Sequence, residues 1–428
     1  MGLFKPSKSQ QGPLPNVELY LAPQRETVFK PNDVISGHIV LSTPIPVMPQ
    51  AVEVTLWGKS ETWIRKSSSR GNGSTATTDY YHYRDHAPLF DVTFNVFPKA
   101  ETLVPGQEYT FPFSFRVPEG TGFNRSQCYE QPDNAIWTVQ PHHLPPTFFF
   151  GREDYPDNSK ISYGVTARLV APFLIVGKSP KIDPLSCTAP ILFQPLNPNA
   201  HIQTPNRVRY SKRFTLQSST LTGQDPASIG FRQRLHDRFS SATPMLEFEL
   251  GVELPDILTS GSEFNFRATF AVVKKSDKVT HIPSVTFKVL KLELLDFTLF
   301  RAPRDWAASN TLRGLPSKCH DGTPRSSYRA SEQTEVKEQK TFLNSIPPSQ
   351  LVELAEVDVP GEKKQIEQAG TCEAWFSGRV PGFTPPSFRS FAITRSYRIK
   401  VKVGAEIGGK MFEMNFEGTD CPLGSVHT

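Results

Sequence analysis

The sequence predicts an all-β protein built from two tandem β-sandwiches. Three observations carry that prediction. Apolar residues recur at every second position in segment after segment, the pattern of strands with one buried face. Prolines number 39 in 428 residues; proline cannot donate to a sheet ladder and breaks helices, so the chain favours short strands joined by loops. One local pattern also occurs twice: Pro145-Pro146-Thr147-Phe148 precedes a strand that opens Ser162-Tyr163, and Pro385-Pro386-Ser387-Phe388 precedes one that opens Ser396-Tyr397. The same corner before the same strand in both halves implies two related modules.

In the first module, Val17, Leu19 and Leu21 share one face, then Ile35, Ile39 and Leu41, then Val52, Val54 and Leu56. Residues 67–78 are rich in Ser, Gly and Thr and are expected as a loop that runs into Asp79-Tyr80-Tyr81-His82-Tyr83. Phe90, Val92, Phe94 and Val96 alternate, as do Tyr109, Phe111, Phe113, Phe115 and Val117, and Tyr163, Val165, Ala167 and Leu169 follow the first corner. Alternation with turn residues between segments reads as half-buried antiparallel sheets, and two such sheets face to face make a sandwich.

The second module repeats the style with Leu246, Phe248, Leu250 and Val252, then Phe264, Phe266, Ala268, Phe270 and Val272, then Val285, Phe287 and Val289. From Phe391 to Ile407 the odd positions are apolar except Arg395, and Gly408-Gly409 supplies a tight hairpin turn before Phe412, Met414 and Phe416. The expected division is a flexible N-terminus at 1–15, a first sandwich at 16–195, a connector with a short basic helix at 196–242, a second sandwich at 243–418 with a disordered insertion at 302–340, and a tail at 419–428.

A net charge of +5 is mildly basic and does not indicate nucleic acid. A nucleic-acid-binding pair of sandwiches is therefore a remote alternative. The five cysteines are scattered without a CxxC pair, which speaks against a disulfide framework or zinc site and for a reducing compartment. No apolar run approaches the ~18 residues of a membrane span, the N-terminus lacks the apolar stretch of a leader, and Pro6 stands where a myristoylation motif wants Ser or Thr. A soluble intracellular chain is the expectation. Scanning for a nucleophile elbow, HExxH, a Walker lysine loop or GxGxxG finds none, so no catalytic, cofactor-binding or metal residue is assigned, and no enzyme or cofactor is expected. His82 and His86 lie four apart, which is too few ligands for a metal.

Two stretches are candidate contact sites. Phe231, Leu235 and Phe239 recur every four residues beside Arg232, Arg234 and Arg238, with Arg207, Arg209, Lys212 and Arg213 upstream. A basic amphipathic helix there would either lie on anionic lipid or pack its stripe as a connector. Tyr80, Tyr81, His82 and Tyr83 would either form a cargo-contact loop or pack on the sandwich edge. Residues 309–331, with Arg313, Arg325 and Arg329, are either a phosphorylation-controlled switch or plain disorder.

Residues 28–39 (Val-Phe-Lys-Pro-Asn-Asp-Val-Ile-Ser-Gly-His-Ile), Val52 to Gly58, Leu144 to Phe148 with the Tyr163 strand, Pro381 to Phe388, and Ser390 to Tyr397 with its hairpin occur in an order that resembles the arrestin family. The resemblance is to the α-arrestin or fungal arrestin-like branch and covers roughly residues 15–195 and 243–420. It implies two immunoglobulin-like sandwiches, the arrestin fold, and a non-catalytic adaptor that is cytoplasmic and peripherally associated with plasma membrane or endosomes. Implied partners are cytosolic tails of membrane transporters or receptors and a HECT-type ubiquitin ligase bound directly or through another adaptor; anionic lipids join them only where the basic stripe at Phe231, Leu235 and Phe239 lies on a membrane. Receptor-binding members probe cargo with the loop after a strand like Val52–Trp57, here residues 67–83. Ligase adaptors of the family carry PPxY motifs; the Pro-Pro pairs of this chain are followed at the fourth position by Phe148, Gln350 and Phe388. That departure keeps open a retromer-like coat subunit or a signalling scaffold.

Overall fold

The computed structural model describes residues 14–22, 27–70, 77–98, 101–126, 128–129, 133–170, 185–195, 206–232, 237, 240, 242–302, 333–343, 350–352 and 371–424. In chain order the strands are β1 (Asn16–Ala22), β2 (Val28–Phe29), β3 (Val34–Ser42), β4 (Ala51–Arg70), β5 (Thr77–Asn95), β6 (Glu108–Arg116), β7 (Phe148–Phe150), β8 (Asn158–Val170), β9 (Leu185–Phe193), β10 (Arg207–Gln217) and β11 (Met245–Pro255). Then come β12 (Leu258–Thr259), β13 (Glu263–Lys275), β14 (Val285–Ala302), β15 (Gln333–Phe342), β16 (Gln350–Val352), β17 (Thr371–Arg379), β18 (Phe388–Arg389), β19 (Ile393–Ile407), β20 (Lys410–Asp420) and β21 (Leu423–Gly424). The all-β expectation holds. Among the described residues no helix is long and apolar enough to cross a membrane.

The chain divides into two units, one of Met1–Leu196, Leu299–Glu335 and Phe388–Thr394, the other of Asn197–Thr298, Val336–Ser387 and Arg395–Thr428. In the first unit, one sheet has the order β1-β3-β6 and the other β2-β9-β8-β4-β5, with β7 on β8. Inward residues of the first sheet (Ile35, Ile39, Leu41, Phe113, Phe115) and of the second (Val52, Val54, Leu56, Val165, Ala167, Leu169) share one core. Each of these Val, Leu, Ile and Phe side chains stabilises by about 1.5–3 kcal/mol relative to exposure. Phe300, Ala302, Phe391, Ala392 and Ile393 are buried in that same core. The expectation that 243–418 forms one module is corrected here. Alternation shows that a segment has a buried face, not which core receives it.

In the second unit the sheets are β10-β11-β13-β17 and a sheet in which β14 lies between β15 and β19, with β16 on β14 and β20 on β19, plus the parallel pair β12-β21. The core gathers Phe248, Phe266 and Phe270 from one sheet and Leu290, Leu292, Val401 and Val403 from the other. Gly408 and Gly409 take φ of 55° and 74°, which suits the two-residue turn between Ile407 and Lys410. Arg395, the one charge in an apolar row, is buried in an ion pair with Asp296, and its Nε donates to the Tyr397 hydroxyl at 2.5 Å. Burial pushes the Asp296 carboxyl above its ordinary value, with the Arg395 charge acting against that.

The duplicated corner has one physical cause. The Tyr163 hydroxyl donates to the Pro145 carbonyl at 2.5 Å, and the Tyr397 hydroxyl donates to the Pro385 carbonyl at 2.6 Å. In each unit a buried tyrosine satisfies the carbonyl of the first proline and fixes the entry to its strand. Three further expectations are corrected. Residues 207–217 are a strand paired with β11 rather than connector. Residues 333–340 of the expected insertion belong to β15, while 303–332 lie outside the described residues. Residues 423–424 of the expected tail form β21.

Candidate functional site

The stretch expected as a cargo-contact loop is mostly strand. β4 and β5 pair from Glu53↔Asn95 to Arg70↔Thr77, and residues 71–76 between them lie outside the described residues. The hairpin forms because even positions of β4 from Val52 to Ile64 are buried or core-facing while odd positions face outward. Successive side chains of a strand alternate faces, so the aromatic cluster splits. Tyr83 is buried and Tyr81 packs against the core, whereas Tyr80 is 57 % exposed. The Arg65 guanidinium lies over the Tyr80 ring at 5.2 Å. His82, also outward, accepts from the Trp63 indole N–H at 3.0 Å.

The outer face of the hairpin is polar and aromatic. Trp57 lies over Gly164, where a Cβ would meet its ring at 2.6 Å, and its indole N–H donates to the Thr166 hydroxyl at 2.9 Å. Nearer the tip the Arg84 guanidinium stacks on Trp63 at 4.3 Å. His86 Nδ1 and Lys59 Nζ lie 3.0 and 3.1 Å from the Glu61 carboxylate. Burial works to raise the Glu61 carboxyl, but the His86 hydrogen bond and the Lys59 charge more than reverse it and hold it at about 2. Glu61, Trp63, Arg84 and His86, with Phe149 of β7, Asn158 and Lys160 of β8 and Glu153 between them, line a cavity of about 290 Å³. The Asp157 amide donates to the Trp63 carbonyl at 2.7 Å, tying the β7–β8 turn to the hairpin.

Under the hairpin lies a buried polar cluster that sequence reading missed. Asp85 faces inward from β5 and meets Arg125 Nη2 at 3.1 Å, and the Tyr129 hydroxyl donates to the same carboxylate. The Arg301 guanidinium lies 4.0 Å from the Tyr129 ring centroid and 4.5 Å from that of Trp137, and its Nε donates to the Phe391 carbonyl at 2.7 Å. Burial works against the Arg125 charge, yet Tyr129 and Asp85 outweigh it and raise the guanidinium pKa above its ordinary value. Burial, then the Asp85 charge, pushes the Tyr129 phenol well up, so it stays a donor. The available signal was Asp85 itself, an acid in the inward register of Tyr81, Tyr83 and Ala87.

The basic residues upstream of the expected membrane helix sit on β10. Arg207, Arg209 and Arg213 share one face, and Lys212 points to the other. Arg209 pairs with Glu249 at 2.8 Å, Arg213 approaches the same carboxylate at 3.8 Å, and Arg207 stacks on Trp375 at 4.7 Å. Their charge is thus partly matched by β11. Phe231 is 77 % exposed and Arg232 is exposed, and both are helical; Arg234, Leu235, Arg238 and Phe239 lie outside the described residues. Asp237 is buried and accepts from the Ser219 amide and hydroxyl at 2.9 and 2.6 Å.

Comparison with known proteins bears on this arrangement at one place. Residues 17–122, which span β1 to β6 and hold the whole hairpin, match the family model described as arrestin (or S-antigen), N-terminal domain. No curated protein matches the chain.

Proposed function

We propose that this chain, an arrestin-family protein by its N-terminal domain, is a non-enzymatic adaptor that binds membrane cargo and links it to ubiquitin-dependent endocytosis and protein trafficking. The observation that carries the reading is the long β4–β5 hairpin within the arrestin-matched segment, whose outer face presents Tyr80, Arg65, Trp63 and Arg84. Rigid aromatics backed by guanidinium groups suit recognition of an extended peptide, since they offer contact area at small entropic cost. The cargo is the cytosolic tail of a transporter or receptor, met by a cytoplasmic protein at the plasma membrane or endosome. A HECT-type ligase, bound directly or through another adaptor, acts on that cargo.

A second reading is favoured by one observation. Both Pro-Pro-x-Phe motifs are used as corners, with their proline carbonyls taken by Tyr163 and Tyr397. They do not offer the exposed tyrosine a WW domain grips. A coat subunit or signalling scaffold that acts without PPxY fits that fact.

Affinity purification of the full chain from native cells in mild detergent, followed by mass spectrometry, tests both. The adaptor reading expects membrane proteins and a ligase that are lost from a Tyr80→Ala, Arg65→Ala variant of unchanged melting temperature. Recovery of coat or kinase components without a ligase supports the second reading. Recovery of no membrane protein, or the same set from wild type and variant, overturns the hairpin as the cargo site.

A further inference from the structure

Residues 388–394 are held in the first unit as a docked peptide would be. Arg389 Nη1 donates to the Ala135 carbonyl at 3.0 Å, the Ser390 carbonyl accepts from the Thr138 amide at 3.3 Å, and the Thr394 hydroxyl donates to the Ile136 carbonyl at 2.7 Å. On the far side Arg301 donates from its amide to the Ala392 carbonyl at 2.9 Å. Phe388 meets Phe148 edge to face at 5.3 Å. A histidine of the strap 133–143 also reaches this segment. His142 Nδ1 lies 2.9 Å from the Gln140 carbonyl, its Nε2 lies 3.1 Å from the Ser390 hydroxyl, and its ring stands edge-on to Phe391 at 5.4 Å.

The proton inventory follows from the partners. A carbonyl only accepts, so Nδ1 carries the hydrogen, and Nε2 is left to accept from the Ser390 hydroxyl. We infer that His142 is a protonation-sensitive latch: its neutral ring clamps residues 388–394 to the strap, and proton uptake in mildly acidic conditions loosens that segment. Protonation turns Nε2 into a second donor. The Ser390 hydroxyl must then reverse and surrender its own hydrogen to another acceptor, at a residue that is fully buried. The backbone of His142 does not move out of the way, because its carbonyl and amide are held by the amide and hydroxyl of Thr121 at 2.8 and 3.1 Å.

The charges around the ring are mixed. From the strap, Asp133 favours the imidazolium and His143 opposes it; from the docked segment Arg389 opposes it. From the 119–129 loop come Glu119, whose carbonyl accepts from Leu144, and the Arg125 guanidinium, 5.5 Å over the Phe391 ring beside Tyr129. Burial first, then His143 and Arg389, draw His142 below the ordinary histidine value, against the pull of the Gln140 carbonyl and Asp133. The sign is therefore fixed. Docking is at full strength above about pH 6.5, the ordinary histidine value, and weakens as pH falls below it, because the undocked ring binds the proton more readily.

With an ordinary histidine in the undocked state, the opening equilibrium rises by up to about tenfold at pH 5.5. Hydrogen exchange of the full chain at pH 7.5, 6.5 and 5.5, corrected for intrinsic rates, reads this directly. Peptides covering 133–143 and 388–394 are expected to lose up to about tenfold in protection on acidification, while β4 peptides keep theirs. His142→Gln keeps an amide donor and acceptor but takes no proton, and its protection should be flat with pH. NMR titration of the wild-type His142 ring, which needs no variant, should place the docked ring's midpoint below the ordinary histidine value, at the acid end of the range over which protection falls. Unchanged wild-type protection between pH 7.5 and 5.5, an equal pH response in His142→Gln, or a docked ring that titrates at or above the ordinary histidine value would each overturn the latch. None of these readouts depends on cargo, so they stand or fall separately from the adaptor function.

Discussion

The two tyrosines that close the duplicated corners are equivalent in fold but not in cost. Tyr163→Phe removes one hydrogen bond, to the Pro145 carbonyl, at a fully buried position. A net bond of about 1 kcal/mol, plus part of the penalty for a stranded carbonyl, puts the loss at about 1–2 kcal/mol. Tyr397→Phe removes the bond to Pro385 and also the acceptor for Arg395 Nε. A hydrogen bond to a charged group is worth about 1.5–3 kcal/mol, so the second substitution should cost about 2–4 kcal/mol. For domains near 200 residues this corresponds to a fall in Tm of about 3–6 °C for Tyr163→Phe and about 6–12 °C for Tyr397→Phe. Thermal unfolding by circular dichroism measures the totals. Hydrogen exchange assigns each loss to the unit that carries the substitution. Equal costs, or a Tyr397→Phe protein as stable as wild type, would refute the assignment of the Arg395 bond and the reading of the corner as a shared device.

Asp85→Ala leaves Arg125 buried without its carboxylate and should destabilise the first unit by about 3–5 kcal/mol in denaturant unfolding. Glu61, held at about 2, contributes stability that is present above about pH 4.5 and lost as pH falls from there toward 2. Because its side chain is partly exposed, that contribution is about 1–2 kcal/mol, and Glu61→Gln should erase this limb of the stability–pH curve. Gly408→Ala forces a Cβ into a positive-φ position 2.5 Å from the Thr220 hydroxyl oxygen and should cost more than the ~1–2 kcal/mol of left-handed backbone alone. Gly409→Asn, which tolerates that backbone, should cost less in the same melt.

Strands such as β8 and β11 were legible because period-two alternation is a local property of sequence, unbroken from Tyr163 to Leu169 and from Leu246 to Val252. β10 was missed because Lys212 interrupts the row Val208, Tyr210, Phe214 and Leu216. The distal part of the β4–β5 hairpin, residues 67–83, reads as a loop because it is Ser-, Thr- and Tyr-rich, and polar aromatics on both faces erase the contrast that marks a strand. The arrestin resemblance was legible from motif order, and the family match on 17–122 bears it out for the first domain. The polar cluster could not be read, since Asp85 and Arg125 are 40 residues apart and no local pattern names a partner at that distance. Arg395 was visible as an anomaly, but its ion pair with Asp296, 99 residues earlier, was not.

The division of the first unit into three stretches of chain has a consequence in time. Its core needs Phe300, Phe391 and Ile393, which the ribosome adds long after Leu196. At 5–20 residues per second, the roughly two hundred residues between Leu196 and Thr394 take about 10–40 s to synthesise. During that interval the nascent first sandwich has the places for those side chains but not the side chains, and Tyr129 and Trp137 lack the Arg301 that packs on them. The unit that begins first is completed nearly last. A fragment ending at residue 196 is for the same reason an unfinished domain, with exposed apolar surface that invites chaperones or aggregation.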